Sequence, residues 1–230
     1  MLSFLPDNTI FSFIYPLVAV FVYLSGLVFL AEALSKLIPE DPELIRKVVH
    51  IGSGNVILLA WWLNISAGVI VSAAIIAGAI AITSYIIPIL PSIESVGRKS
   101  FGTLFYAISM GVLTACFWSN TPQYAVIGIL VMAWGDGMAA IIGQRFGKHI
   151  YRIGEIGKSW EGSLAMAIAS LAVTASVLLA LEGSSWQIWL VSVAVAAIAT
   201  TLEAFSKLGI DNLTVPLCSG FFCFFCIQAL

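Results

Sequence analysis

Asp136 stands between two glycines near the end of a long apolar run, Trp134-Gly135-Asp136-Gly137-Met138-Ala139-Ala140, with Gly143, Gly147 and Lys148 beyond it. A carboxylate at the edge of an apolar, membrane-length segment is costly unless it has a partner. On a helix, positions 136, 139, 140, 143 and 147 share one face, and apart from Asp136 all are Gly or Ala. Small residues at that spacing let helices pack closely, but packing does not need an acid. A carboxylate beside a small-residue groove suits a magnesium-bound nucleotide, because magnesium takes one or two carboxylates and completes its shell with phosphate oxygens. The spacing is not that of a Walker loop, since G-x-x-x-x-G-K-[ST] does not occur.

Four other groups carry residues of complementary chemistry. In Arg46-Lys47-x-x-His50, positions 46 and 50 share a helix face, and Glu43 is spaced to pair with Lys47. The same run reads as an interfacial anchor whose long cations snorkel, although His50 and, deeper, Asn55 sit in a span where polar groups face a protein interior or cavity. In Ser95-Val96-Gly97-Arg98-Lys99-Ser100-Phe101-Gly102-Thr103, two cations flanked by glycines and hydroxyls suit a phosphate at a helix start. A helix cap with a basic anchor explains that run equally well. Gly157-Lys158-Ser159-Trp160-Glu161-Gly162-Ser163 offers a cation, a hydroxyl and an acid that caps, pairs with Lys158 or binds metal. Glu203 with Asp211-Asn212 supplies a further carboxylate cluster, or Asp211 and Asn212 simply cap the next helix.

The elements that must position these groups are membrane helices. The 230 residues are 60% hydrophobic and 10% charged, with mean hydropathy +1.05, whereas a soluble domain carries about 25% charged residues. Apolar runs of bilayer length predict spans over 10–31, 48–64, 67–90, 101–118, 123–143, 163–181, 186–202 and 213–230. This is an all-α, polytopic bundle of seven or eight spans, since the short second run and the last run are each compatible with a re-entrant segment. The chain reads as one integral membrane domain over 1–230. All ten Lys and Arg residues fall on alternate connections. By the positive-inside rule that side is cytoplasmic, with both termini outside. All acids except Asp7 and Glu182 gather on or at the edge of the same side.

Other functions are disfavoured. A net charge of −2 gives no footprint for nucleic acid. Cys223-x-x-Cys226 is embedded among phenylalanines without a second cysteine pair, so it reads as small hydrophobes rather than a metal or redox site. The N-terminus lacks both a basic n-region and a transit pattern. An assembly of several copies is compatible with the sequence.

The motifs from Arg46-Lys47-x-x-His50 to Glu203-Ala204 and Asp211-Asn212, over about residues 44 to 217, resemble the polyprenol kinase family of phytol, dolichol and CTP-dependent diacylglycerol kinases. Arg98-Lys99, Trp134-Gly135-Asp136-Gly137, Gly143-Gln144-Arg145-Phe146-Gly147-Lys148 and Lys158-Ser159-Trp160-Glu161-Gly162-Ser163 carry the likeness. His50 to Trp62 and Trp134 to Lys148 are most similar to the phytol kinases of cyanobacteria and plastids, and a bacterial, cyanobacterial-type membrane follows. The resemblance implies transfer of a nucleotide's terminal phosphate, from CTP or alternatively from UTP or ATP, to a long isoprenoid alcohol lying in the bilayer. Phytyl phosphate would then feed tocopherol synthesis. On that reading Asp136, Lys99 and His50 are the catalytic candidates. Asp136, Glu203 and Asp211 would hold magnesium. Arg46, Lys47, Arg98, Lys99, Lys148, Lys158 and Ser159 would hold the triphosphate, with close backbone approach at Gly135, Gly137, Gly143 and Gly147. A cytidylyltransferase acting on a lipid phosphate would use the same residue types, and a small transporter is a third reading. Transporters, however, bury their polar groups near the midplane.

Overall fold

The computed structural model describes residues 9–86, 101–154 and 156–230. These residues form a helical bundle in the order α1 (Thr9–Leu37), α2 (Pro42–Gly54), α3 (Val56–Trp62), α4 (Ala67–Ile86), α5 (Gly102–Phe117), α6 (Pro122–Phe146), β1 (Ile150–Ile153), β2 (Ile156–Ser159), α7 (Trp160–Glu182), α8 (Trp186–Ala204) and α9 (Asp211–Ala229). Among the described residues, seven helical segments are long and apolar enough to cross a membrane, with α2 and α3 counted as one. The sixteen-residue α5 is a shorter apolar helix. The chain is an integral membrane protein. The part of the expected third span beyond Ile86 lies outside the described residues.

Helix α6 is the axis. Its stretch from Tyr124 to Ala133 is apolar all round and buried on every side, as expected of a helix enclosed by other helices. Helices α2, α5, α7 and α9 pack against it. The outward faces of the surrounding helices stay apolar: Phe21 and Phe29 of α1 and Ile75 and Ile76 of α4 are well exposed, which suits contact with lipid. Between α6 and α9, two glycines permit a close crossing. A Cβ at Gly128 would lie 2.5 Å from the Pro216 carbonyl oxygen, and one at Gly220 would lie 2.8 Å from that of Tyr124. Pro216 sits inside α9 and has no N–H for the Asn212 carbonyl one turn earlier. Ser109 Oγ of α5 donates to that carbonyl at 2.9 Å, so the proline leaves no orphan in the apolar interior.

The first helix continues to Leu37 rather than ending at 31, and two further features differ from the apolar runs. The second span begins at Pro42 rather than 48, because Asp41 caps it: the Leu44 N–H donates to Asp41 Oδ1 at 3.0 Å, and Pro42 occupies the first turn. A hydropathy window misses that first turn, whose charges place Arg46, Lys47 and His50 on the helix itself. The helix is interrupted at Asn55 and continues as α3, giving a segment long enough to cross. The polar run after α6 is also not plain loop. It forms an antiparallel hairpin, with Tyr151 opposite Lys158 and Arg152 opposite Gly157. Gly154 takes φ +59° at its turn, a conformation that favours glycine.

Two ends of the bundle are distinguishable. At one, the Phe101 N–H donates to the Leu208 carbonyl at 3.2 Å, and Arg145 reaches Asp41 at 3.0 Å. These contacts join the connections that carry the described Lys and Arg residues. At the other, Trp118 Nε1 donates to the Ile65 carbonyl at 2.7 Å, and Phe117, Tyr124, Phe221 and Phe224 stack with centroids 4.8–5.8 Å apart.

The crossing of α6 and α9 generates a test. Gly128→Ala should destabilise the protein by about 1–3 kcal/mol, the usual cost of overpacking. Gly26→Ala, with nothing within 4 Å of its new Cβ, should leave the thermal midpoint in detergent unchanged or slightly higher.

Candidate active site

At the basic end, α2 and α6 bring Lys47, His50 and Asp136 together. Lys47 is 4% and Asp136 8% exposed, and Lys47 Nζ lies 2.5 Å from Asp136 Oδ2. His50 Nε2 is 3.4 Å from the same oxygen. The contact exists because α2 can lie flat on α6. Gly54 meets the Ala133 side chain where a Cβ would collide with it, and a Cβ at Gly137 would come within 2.5 Å of Ile51. Trp134 Nε1 donates to Asn55 Oδ1 at 2.8 Å, which fixes the interruption between α2 and α3 to the same stretch of α6 and satisfies the deep Asn55.

A second pair stands beside the first. Lys158, on β2, is hydrogen-bonded to Glu203 Oε1 at the end of α8. Glu203 is 3% exposed, and its other oxygen, Oε2, is buried without a hydrogen-bond partner among the described residues. Burial works against the Lys158 charge, but the Glu203 carboxylate outweighs it, with smaller help from Asp136 and Asp211. The ammonium is therefore held above its ordinary pKa. Asp211 opens α9 with its backbone N–H bonded to Ser206 Oγ at 3.0 Å, while Oδ1 accepts from the Asn212 N–H at 3.0 Å. Lys47, His50, Asp136, Lys158, Glu203 and Asp211 thus form one polar cluster from α2, α6, β2, α8 and α9.

Several expected roles are reassigned by the geometry. Lys47, not Arg46, shares the inward face with His50. Arg46 instead makes a two-pronged contact with Glu43, 2.8 and 2.5 Å, near the surface, so Glu43 does not pair with Lys47. Glu161 pairs with His149, 2.7 Å, rather than with Lys158. Ser159 Oγ accepts the Gly162 N–H at 3.1 Å and caps α7. Lys148 is exposed. The glycines approach other helices rather than an open cradle: Gly135 faces Met166, and Gly143 and Gly147 face Ser159 and its turn. Arg98 and Lys99 lie outside the described residues.

The three carboxylates expected to hold metal are not a preformed cage. Among the described residues no group of three or more His, Cys, Asp or Glu side chains could hold a metal ion. Lys47 and Lys158 already neutralise Asp136 and Glu203, which two buried carboxylates require. Magnesium asks for less, one or two carboxylates together with phosphate oxygens and water, and the unpartnered Glu203 Oε2 is an oxygen of that kind. The residues therefore fit a metal that arrives with its nucleotide. One neighbour has no signature among the sequence motifs. Tyr106 of the apolar α5 places its ring 6.3 Å from that of His50, and only helix packing could have joined it to the cluster.

No family model and no solved structure matches the chain. It is similar to the phytol kinase of Synechocystis sp., 51% identical over 199 residues that make up 86% of this chain and 85% of that protein. It is similar to phytol kinase 1, chloroplastic, of Arabidopsis thaliana, 30% identical over 213 residues, 84% of this chain and 69% of the relative. The farnesol kinase, chloroplastic, of the same plant is 29% identical over 201 residues, 78% of this chain and 64% of the relative.

The burial of the pairs sets their expected energies. Asp136→Asn leaves Lys47 buried without a counter-charge and should cost about 3–5 kcal/mol, whereas Arg46→Gln, which breaks a half-exposed pair, should cost about 1 kcal/mol or less. Denaturant or thermal unfolding in detergent measures both. Asp41 lies outside the spans, and its carboxyl is held below the ordinary aspartate range, first by the Leu44 N–H and then by Arg145. A lowered folded value means that its contribution is present above about pH 4 and fades as pH falls through the folded pKa. Asp41→Asn should remove that part of the acid sensitivity, read as a flatter thermal midpoint below pH ~4.

Proposed function

The chain belongs to the polyprenol kinase family, and we propose that it transfers the terminal phosphate of a nucleoside triphosphate, CTP in preference to UTP or ATP, to phytol or a closely related isoprenoid alcohol. The observation that carries this reading is the cluster itself: two lysine–carboxylate pairs, a histidine and a further aspartate gathered at one end of a lipid-facing bundle. The similarity to a phytol kinase at 51% identity over most of both chains supports the alcohol as acceptor and phytol as the alcohol.

Phosphoryl transfer asks little covalent chemistry of a protein. It asks for cations to hold and neutralise phosphates, carboxylates to hold metal, and alignment of attacking and leaving oxygens. The alcohol oxygen forms a bond to the γ-phosphorus, the bond from that phosphorus to the β,γ-bridging oxygen breaks, and the nucleoside diphosphate leaves. The alcohol proton passes to a base, for which His50 and the nearby carboxylates are the candidates. Lys47 and Lys158, with Arg46, Lys148, Arg98 and Lys99, hold the triphosphate. Asp136, with Glu203 or Asp211, holds magnesium, which supplies charge neutralisation on the phosphates when bound. Gly135, Gly137, Gly143 and Gly147 serve by letting α2 and α7 approach α6. The basic end faces the cytoplasm by the positive-inside rule, in a bacterial, cyanobacterial-type membrane, and the product enters tocopherol synthesis.

The test uses purified protein in detergent with magnesium, phytol, and CTP labelled at either the α- or the γ-phosphate, with γ-labelled UTP and ATP in parallel. Label from the γ-position in phytyl phosphate is the predicted result. Label from the α-position with release of pyrophosphate would replace this reading by a cytidylyltransferase. Absence of transfer to phytol, with transfer to longer polyprenols or diacylglycerol, would discard the acceptor.

A further inference from the structure

Among the described residues, two polar atoms beside Asp136 are buried and lack hydrogen-bond partners: His50 Nε2 and the Tyr106 hydroxyl. A buried, unmade hydrogen bond costs about 1–3 kcal/mol, and in a bilayer no water stands ready to relieve it. The two side chains come from different helices and meet at one place. His50 and Gly54 lie four apart on α2, and so share a face. That face packs on Ala133 and Asp136 of α6. A Cβ at Gly54 would lie 3.9 Å from the Tyr106 hydroxyl oxygen, and the Tyr106 and His50 rings are 6.3 Å apart. Tyr106 therefore points its hydroxyl into the α2–α6 crossing, about one helical turn deeper in the bundle than His50.

The pair has a defined chemical complement. A tyrosine hydroxyl can donate, and a neutral imidazole accepts at the nitrogen without a proton. His50 Nε2 faces the Asp136 carboxylate at 3.4 Å without a hydrogen bond to it. The missing group must accept the hydrogen bond of the Tyr106 hydroxyl beside that ring. A primary alcohol oxygen does so and keeps a proton of its own to give. Depth argues the same way: a hydroxyl at the head of a chain in the bilayer can reach a turn below the interface, whereas a free polar metabolite would first have to be desolvated there.

We infer that Tyr106 and His50 together form the binding site for the acceptor's hydroxyl, with Tyr106 donating to the alcohol oxygen and the His50 ring standing beside it. This rests on the alcohol-kinase reading and adds a residue from α5, outside every motif that carries it. Tyr106 binds and orients the attacking oxygen, so its loss should weaken alcohol use while leaving nucleotide use alone.

Tyr106→Phe tests this because it removes only the hydroxyl. Without ligand the variant should be as stable as the parent or more so, since an unsatisfied group has been deleted. Its KM for phytol should rise about tenfold, the loss of one hydrogen bond, with the KM for nucleotide unchanged. In a binding arm without nucleotide, phytol should raise the thermal midpoint of the parent and raise that of Tyr106→Phe much less. An unchanged KM and an unchanged phytol-induced shift would overturn the inference. So would a lower midpoint of the ligand-free variant, which would show that the hydroxyl already has a partner in the resting fold. If the parent transfers phosphate to no alcohol, the kinase reading fails, and the binding arm still decides the inference: a Tyr106-dependent phytol shift supports it, and no phytol shift in the parent overturns it.

Discussion

Removing the Lys47 ammonium and the Asp136 carboxylate from water costs several kcal/mol per ion, and their contact at 2.5 Å offsets that cost only while both are present. The surrounding architecture follows from this constraint. Lys47 must ride on a helix that lies closely on α6, so α2 carries glycines at the crossing and breaks at Asn55 just beyond it. Asp136 must sit near the end of the central helix, where its carboxylate is enclosed by protein but near the polar end. The Lys158–Glu203 pair repeats the solution from the other side of α6, with the cation on the hairpin and the acid at the foot of α8.

Such pairs are poor stabilisers. Apolar residues of similar volume would hold the same helices at no electrostatic cost. Their retention at one end of a bundle that is otherwise apolar, next to a buried carboxylate oxygen with no partner among the described residues, is what gives the cluster its functional meaning. On the proposed reading, a phosphate-bearing ligand would reach that end from water and a lipid alcohol from the bilayer. Kinship with phytol kinases of cyanobacteria and plants accords with that division of access.

Much of this was legible in the sequence. Membrane helices announce themselves through uninterrupted apolar composition, and the gathering of charge on alternate connections places the polar end without any structure. Asp136 was legible because a lone acid in such a run has few innocent explanations. Partner choice was not legible. Glu43 is spaced to reach either Arg46 or Lys47, and only the rotation of α2 against α6 turns Lys47 inward. Lys158 had an acid three residues away in Glu161, yet its partner is Glu203, 45 residues on, because the hairpin folds the lysine back toward α8. The glycines around Asp136 permit either helix packing or a ligand cradle, and the neighbours that decide between them come from distant segments. Tyr106 left no trace, since one tyrosine in an apolar helix is ordinary until its neighbours are known.

A Lys47–Asp136 pair kept for chemistry rather than for the fold should be dispensable to the bundle and indispensable to transfer. The most direct measurement is made on the double variant Lys47→Met/Asp136→Leu, purified in detergent and compared with the parent for unfolding and for phosphate transfer from γ-labelled CTP to phytol. The expected result is a bundle at least as stable as the parent, with no transfer and no stabilisation by magnesium and nucleotide. A double variant that still phosphorylates phytol at the parent's rate would contradict it.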